Sequence, residues 1–118
     1  LLDGGSLTED QQDREVQLLR TAGLLDEAEL RLQDLIEHRG ESLLRCNQAS
    51  LLAGSRGDRA EELKWAEKAV ALNPRGAIVL GNLGCVLADL KRTEEAIAKI
   101  REALSINADL GYLYSKLG

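Results

Sequence analysis

The stretch that decides the fold runs from Leu80 to Leu104 and reads LGNLGCVLADLKRTEEAIAKIREAL. Its apolar residues recur at intervals of three and four, which places them on one face of a helix. Leu83 and Leu87 belong to the stripe of a first helix, and Ile100 belongs to the stripe of a second. A short polar segment separates the two stripes. The stretch therefore predicts a pair of antiparallel helices, a helical hairpin.

The same pattern recurs along the chain every 34 residues without a gap. Four columns of equivalent positions are apolar throughout: Leu32, Ala66 and Ile100; Leu35, Ala69 and Ala103; Ile36, Val70 and Leu104; Leu19, Ala53 and Leu87. Gly23, Gly57 and Lys91 share a fifth column, which predicts one internal turn in each unit. A fixed period of this length is typical of stacked hairpins. We predict an all-α fold, a right-handed superhelical solenoid of antiparallel helix hairpins.

The pattern also predicts where the helices lie and how they begin. Ser6 with Glu9 is expected to open the first helix, Asp58 with Glu61 forms a capping-box pattern, and Thr93 is expected to open the last full helix. The predicted helices span 9–22, 25–38, 43–55, 59–72, 77–90 and 93–106, with another starting at 110. Residues 1–8 are predicted to be disordered or extended, and the repeats to span 9–42, 43–76, 77–110 and, in part, 111–118.

Composition and charge exclude several classes of function. The net charge of −5 opposes an electrostatic grip on phosphate backbones, so we expect no nucleic-acid partner. No stretch approaches the roughly 20 apolar residues that cross a bilayer, so we expect no membrane insertion. Cys46 and Cys85 lie far from any metal-ligand spacing and are expected to be small, buried or half-buried thiols. A reducing, cytoplasmic location fits two such thiols.

The sequence offers little material for catalysis. His38 is the only histidine and falls at the predicted end of a helix, where we expect a surface residue. One histidine and two separated thiols do not predict a Ser-His or Cys-His pair, and the glycines do not form a phosphate-binding loop. We therefore expect no enzyme activity, no cofactor and no metal site.

The third unit resembles the tetratricopeptide repeat. It shows Leu80-x2-Leu83-Gly84-x2-Leu87, then Ala96-x3-Ile100-x2-Ala103, with Ala108 where the family pattern has Pro and aliphatic residues where it has aromatics. Tyr114-x2-Leu117-Gly118 repeats the opening, so we expect the chain to stop inside a fourth repeat of a longer protein. The first helix of the first unit is polar, which suits a capping end.

In that family the first helix of each hairpin lines a concave groove, and the resemblance implies which residues do so here. They are Asp13, Gln17, Leu44, Asn47, Gln48, Leu51, Ile78, Asn82, Cys85, Asp89 and Tyr112. The amides of Asn47, Gln48 and Asn82 are expected to bond a peptide backbone, or merely to solvate the groove. Leu44, Leu51 and Ile78 are expected to receive apolar side chains.

Trp65, the sole tryptophan, has two interpretations. It packs in the seam between the second and third hairpins, or it is an exposed anchor for a partner.

The resemblance implies a protein-interaction scaffold that binds a peptide or helix of a partner in this groove. Two alternatives stay open. One is a non-catalytic docking or regulatory arm of a larger enzyme, such as a transferase. The other is a self-associating structural module, in which the broken fourth repeat packs on a second copy to form a homo-oligomer.

Overall fold

The computed structural model describes residues 7–113, except the side chain of Tyr112. This part of the chain contains six α-helices and a short 3₁₀ turn, and no strand. The elements are α1 (Glu9–Thr21), α2 (Leu25–Arg39), α3 (Leu43–Ser55), α4 (Arg59–Leu72), α5 (Ala77–Asp89), α6 (Thr93–Ile106) and the turn Gly111–Leu113. The all-α prediction is confirmed, and each predicted end of the six helices is within one residue. The helix expected from 110 begins as the 3₁₀ turn, and its remainder, with the Tyr114 motif, lies outside the described residues.

The helices pack as three hairpins, α1 with α2, α3 with α4 and α5 with α6, and each hairpin stacks on the next through α2 with α3 and α4 with α5. The columns headed by Leu32 and Leu35 are buried in all three hairpins. At Gly84 an added Cβ would lie 2.6 Å from Cγ1 of Ile100, so α5 and α6 approach too closely there for any side chain. The predicted stripes are thus the contacts that hold the solenoid together.

One of the three predicted helix starts needs correction. Thr8, and not Ser6, caps α1: its hydroxyl accepts a hydrogen bond from the Gln11 amide at 3.2 Å, and the Gln11 side chain accepts one from the Thr8 amide at 2.9 Å. Asp58 caps α4 as expected, by accepting from the Glu61 amide. α6 begins at Thr93 as predicted, and no side chain caps that helix.

The three internal turns are equivalent in geometry. Gly23, Gly57 and Lys91 have φ of 83°, 78° and 65°, the left-handed region. Each turn is closed by the same bond at 2.9 Å between an amide and a carbonyl five residues earlier: Leu24 to Leu19, Asp58 to Ala53, and Arg92 to Leu87. This bond ends a helix in the Schellman manner, for which glycine is favoured. Lys91 therefore holds a strained backbone angle that its two equivalents adopt freely.

Trp65 packs on the first hairpin as well as within the second. It lies against the apolar core that contains Leu32 of α2, and against the cluster of Cys46, Ala69 and Val79. Its indole Nε1 donates to Glu61 Oε1 at 3.2 Å. The predicted seam between the second and third hairpins therefore accounts for only part of its contacts, because the ring also packs against the core of the first hairpin.

A buried arginine fastens α3 to α1. Arg45 is 2% exposed; its Nε lies 3.0 Å from Oδ1 of Asp13, its Nη1 lies 3.1 Å from the Gly40 carbonyl oxygen, and its Nη2 also contacts Glu9. Burial would lower the pKa of Arg45, but the hydrogen bonds that it donates to Asp13 and Glu9 outweigh burial and raise the pKa. The equivalent position one repeat later is Val79, which is also buried. Salt bridges of Arg45 thus hold the first hairpin to the second, whereas the aliphatic side chain of Val79 holds the third hairpin to the second.

Exchanging the residues of two equivalent turns tests the strain at Lys91. Lys91→Gly is expected to raise the free energy of unfolding by about 0.5–1 kcal/mol, because glycine adopts the left-handed angle at little steric cost. Gly57→Lys is expected to lower it by about 1 kcal/mol. No atom lies within 4 Å of a Cβ built at Gly57, so the loss there comes from the backbone alone. Urea unfolding followed by circular dichroism measures both free energies of unfolding. If both variants were stabilised, or both destabilised, the strain assigned to Lys91 would be contradicted.

Removing the buried arginine tests how the first hairpin is held. Arg45→Ala is expected to lower the free energy of unfolding by about 3 kcal/mol, because it leaves the nearly buried Asp13 carboxylate without its partner. Arg31→Ala is the matched control, since the Arg31–Glu27 pair lies on the surface and should contribute little. Urea unfolding of the two variants makes the comparison, and similar losses would show that Arg45 contributes no more than a surface pair.

Candidate functional site

The candidate site lies on α3 and α5, at equivalent positions of two successive hairpins. We define the groove face as Leu44, Asn47 and Leu51 of α3 with Ile78, Asn82 and Cys85 of α5. Leu44 is 47% exposed and Ile78 is 58% exposed, while Asn47, Asn82 and Cys85 are half-buried. These side chains lie on the face of each first helix that the packing columns leave uncovered.

A pair of amides joins the two helices at the centre of the groove face. Asn82 Nδ2 donates a hydrogen bond to Asn47 Oδ1 at 3.0 Å. An asparagine side chain has two donors and one acceptor oxygen. This bond uses one Asn82 donor and the Asn47 oxygen, so the Asn47 amide hydrogens and the Asn82 oxygen are not part of it. They are groups of the kind that bond a peptide backbone.

Two residues predicted for the groove are engaged in holding α1 to α3. Gln48 is 5% exposed, and its Oε1 accepts from Arg20 Nε at 2.9 Å. Asp13 is bound by Arg45. Gln48 therefore faces α1 and lies apart from the groove face. Asp13 likewise offers no unpaired charge to a partner.

The remaining predicted residues lie away from this centre. Gln17 is exposed on α1, and Asp89 is exposed at the end of α5 with a carboxylate oxygen 3.6 Å from Arg59 Nη1. The backbone of Tyr112 lies in the 3₁₀ turn, and its side chain is outside the described part. The structure therefore brings together the six residues of the groove face, places Asp13, Gln17, Gln48 and Asp89 apart from them, and does not describe the side chain of Tyr112.

A recess extends the groove face beyond what the sequence suggested. It has a volume of about 490 Å³ and lies between the first turns of α3 and α5 and the last turn of α6. Its lining consists of Leu43, Leu44, Asn47, Asn73, Gly76, Ala77, Ile78, Val79, Ile106 and Asn107. Seven of these were not predicted to be site residues. Two of them, Asn73 and Asn107, are 34 residues apart and both follow the last residue of a helix, which is the signal that could have found them.

Of the groups with chemical reactivity, His38 and Cys46 lie outside the groove face, whereas the half-buried Cys85 thiol belongs to it. His38 is exposed on α2, and its Nδ1 lies 2.9 Å from the Asp34 carbonyl oxygen. That contact and the Asp34 carboxylate raise the pKa of His38. Burial raises the pKa of the Cys46 thiol, and neither Cys46 nor Cys85 is in a disulfide. His38 and Cys46 thus have the surface and core positions expected for them.

Between residues 7 and 113, none of the helices combines the length and the apolar character that crossing a membrane requires.

Comparison with known proteins identifies the repeat. Residues 77–110 match the family model of the tetratricopeptide repeat. No curated protein sequence matches the chain significantly.

Three solved structures share the fold. MamA of AMB-1 superposes with a TM-score of 0.79 at 18% identity, over 99% of this chain and 64% of that one. A mutant O-GlcNAc transferase of Thermobaculum terrenum gives 0.85 at 21%, over 99% of this chain and 22% of that one. The C-terminal TPR-containing domain of an FK506-binding protein of Plasmodium falciparum gives 0.77 at 12%, over 95% and 89%.

The chain thus spans less than two thirds of the length of the first two of these proteins. At such low identities the likeness shows the fold alone. With the family match at residues 77–110, the six described helices fit a tetratricopeptide-repeat array.

Proposed function

We propose that this array is a protein-interaction scaffold that binds an extended segment of a partner polypeptide along the groove face. Tetratricopeptide repeats are typically non-catalytic interaction modules. The observation that supports this site is the placement of exposed Leu44 and Ile78 beside the Asn47–Asn82 amide pair. Aliphatic side chains give a partner's apolar residues a surface to cover, and the amides give its backbone a donor and an acceptor.

An extended segment fits this arrangement better than a helix. The backbone amides and carbonyls within a helix are bonded to one another, so a helix has little use for an amide pair at the centre of its binding site. An extended chain leaves those groups free to bond with Asn47 and Asn82. The apolar residues on both sides of the pair, Leu44 with Ile78 and Leu51, then meet side chains that alternate along the segment.

The docking arm of a larger enzyme is the second candidate. It draws on the likeness to the O-GlcNAc transferase of T. terrenum, of which the matched part is 22% of the chain. This candidate uses the same groove face for the same kind of contact. It differs only in what the array is joined to, so the binding experiment below tests the shared part of both.

Replacement of both amides tests the proposed site. Random dodecapeptides displayed on phage are selected on the purified chain, and the best are synthesised and titrated by isothermal calorimetry. The double variant Asn47→Ala with Asn82→Ala is expected to weaken binding about tenfold, because two backbone hydrogen bonds are lost. Gln33→Ala, which removes an exposed amide on α2, is the control and is expected to leave affinity unchanged.

The circular dichroism spectrum of each variant shows whether the fold is kept. Unchanged affinity in a well-folded double variant would reject the groove face as the site. Failure of every selected peptide to bind the unmodified chain would reject the function itself.

A further inference from the structure

The recess at the end of the groove face is built from equivalent residues of two repeats. Three pairs of its lining residues are 34 positions apart: Leu43 with Ala77, Leu44 with Ile78, and Asn73 with Asn107. The recess is therefore a product of the stacking of the second hairpin on the third. A partner segment bound at the Asn47–Asn82 pair can continue into the recess, because Asn47 belongs to both the groove face and the recess.

The chemistry of the lining selects the kind of segment that fits. None of the ten lining residues is charged, although 30% of the chain is Asp, Glu, Lys or Arg. The residue equivalent to Leu44 and Ile78 in the first repeat is Asp10. The column is therefore acidic in the first repeat and aliphatic in the two repeats that line the recess. A charged side chain placed there would lose water and gain no counter-charge. An uncharged, apolar side chain would lose no favourable hydration there and would cover exposed aliphatic surface.

Amides at the rim give the occupant a way to satisfy its backbone. Asn107 Oδ1 accepts from the Asp109 amide at 2.9 Å, which leaves the amide hydrogens of Asn107 as donors. The side chain of Asn73 lies beside Gly76, where an added Cβ would come within 2.6 Å of Asn73 Nδ2. The Asn73 amide can therefore lie at the recess because Gly76 has no side chain.

We propose that this recess binds an uncharged, apolar stretch of a partner polypeptide in extended form, with aliphatic side chains packed on Leu44 and Ile78 and backbone groups bonded by the rim amides. The proposal rests on the proposed function and names the partner chemistry at one end of the same site. A second copy of this chain is a poorer occupant. Its exposed Leu30, for example, lies among Asp26, Glu27, Arg31 and Asp34, which would bring charges against the neutral lining.

Three labelled decapeptides test the chemistry of the occupant. All contain the centre Leu-Val-Ile-Leu, and the flanks are Ser and Gly in the first, Glu in the second and Lys in the third. Their termini are blocked, and binding to the full chain is followed by fluorescence anisotropy. The neutral peptide is expected to bind at least tenfold more tightly than either charged peptide. Equal binding of a charged peptide would overturn the proposal.

Two serine variants test the place of binding. Ile78→Ser is expected to weaken binding of the neutral peptide at least tenfold. Leu30→Ser removes an aliphatic side chain of similar exposure, 65% against 58%, from outside the recess and is expected to change binding less than twofold. Circular dichroism confirms that both remain helical. Equal effects of the two variants would place the peptide elsewhere and overturn the proposal.

The outcomes separate this inference from the function on which it rests. Peptides selected on phage that depend on Asn47 and Asn82 but not on Ile78 would overturn the recess and leave the proposed function intact. An absence of binding by any peptide would overturn both. Sedimentation equilibrium completes the set: a dimer that Ile78→Ser dissociates would show that a second copy fills the recess, against the proposal.

Discussion

The burial of small residues on the second helix of each hairpin is the constraint on which the whole array depends. Ala28 of α2, Ala66 of α4 and Ala96 of α6 are all buried, although they do not share one column: Glu62 is the α4 residue equivalent to Ala28 and Ala96. Alanine at these positions lets neighbouring helices approach closely, so that larger residues such as Leu32 and Ile100 fill the spaces around it. Because the first helices are also packed through one side, their opposite side is left to the solvent. The groove face is thus a consequence of core packing.

The two interfaces between successive hairpins are built with different chemistry. Val79 packs α5 against the second hairpin, whereas Arg45 at the equivalent position of α3 meets Asp13 and Glu9 of α1. An apolar contact is insensitive to pH. The ionic contact weakens on acidification: hydrogen bonding to Arg45 lowers the pKa of Glu9, so its contribution is present above the ordinary pKa of glutamate and is lost as the pH falls through the lowered value. The contact between Arg45 and Glu9 is therefore sensitive to acid.

The sequence predicts the fold well because the fold depends on repetition. A 34-residue period defines the buried columns and the turns, including Lys91, whose left-handed φ follows from its place in the column and not from its residue type. The 34-residue period does not predict the burial of Arg45 or Gln48. Both are buried, and they bond Asp13 and Arg20, respectively, of the preceding hairpin. Such pairing across hairpins has no periodic signal.

Only part of the candidate site could be predicted from the sequence, for the same reason. Leu44, Asn47, Ile78 and Asn82 follow from the family's helical register, whereas Asn73 and Asn107 enter only because helix ends from two hairpins meet. The structure also shows that the two amides are preorganised. Asn82 is hydrogen-bonded to Asn47 in the chain alone, so little side-chain entropy remains to be lost on binding. For the proposed partner segment, we expect affinity to depend mainly on the apolar surface covered at Leu44 and Ile78, and the amides to determine the direction and register of the segment.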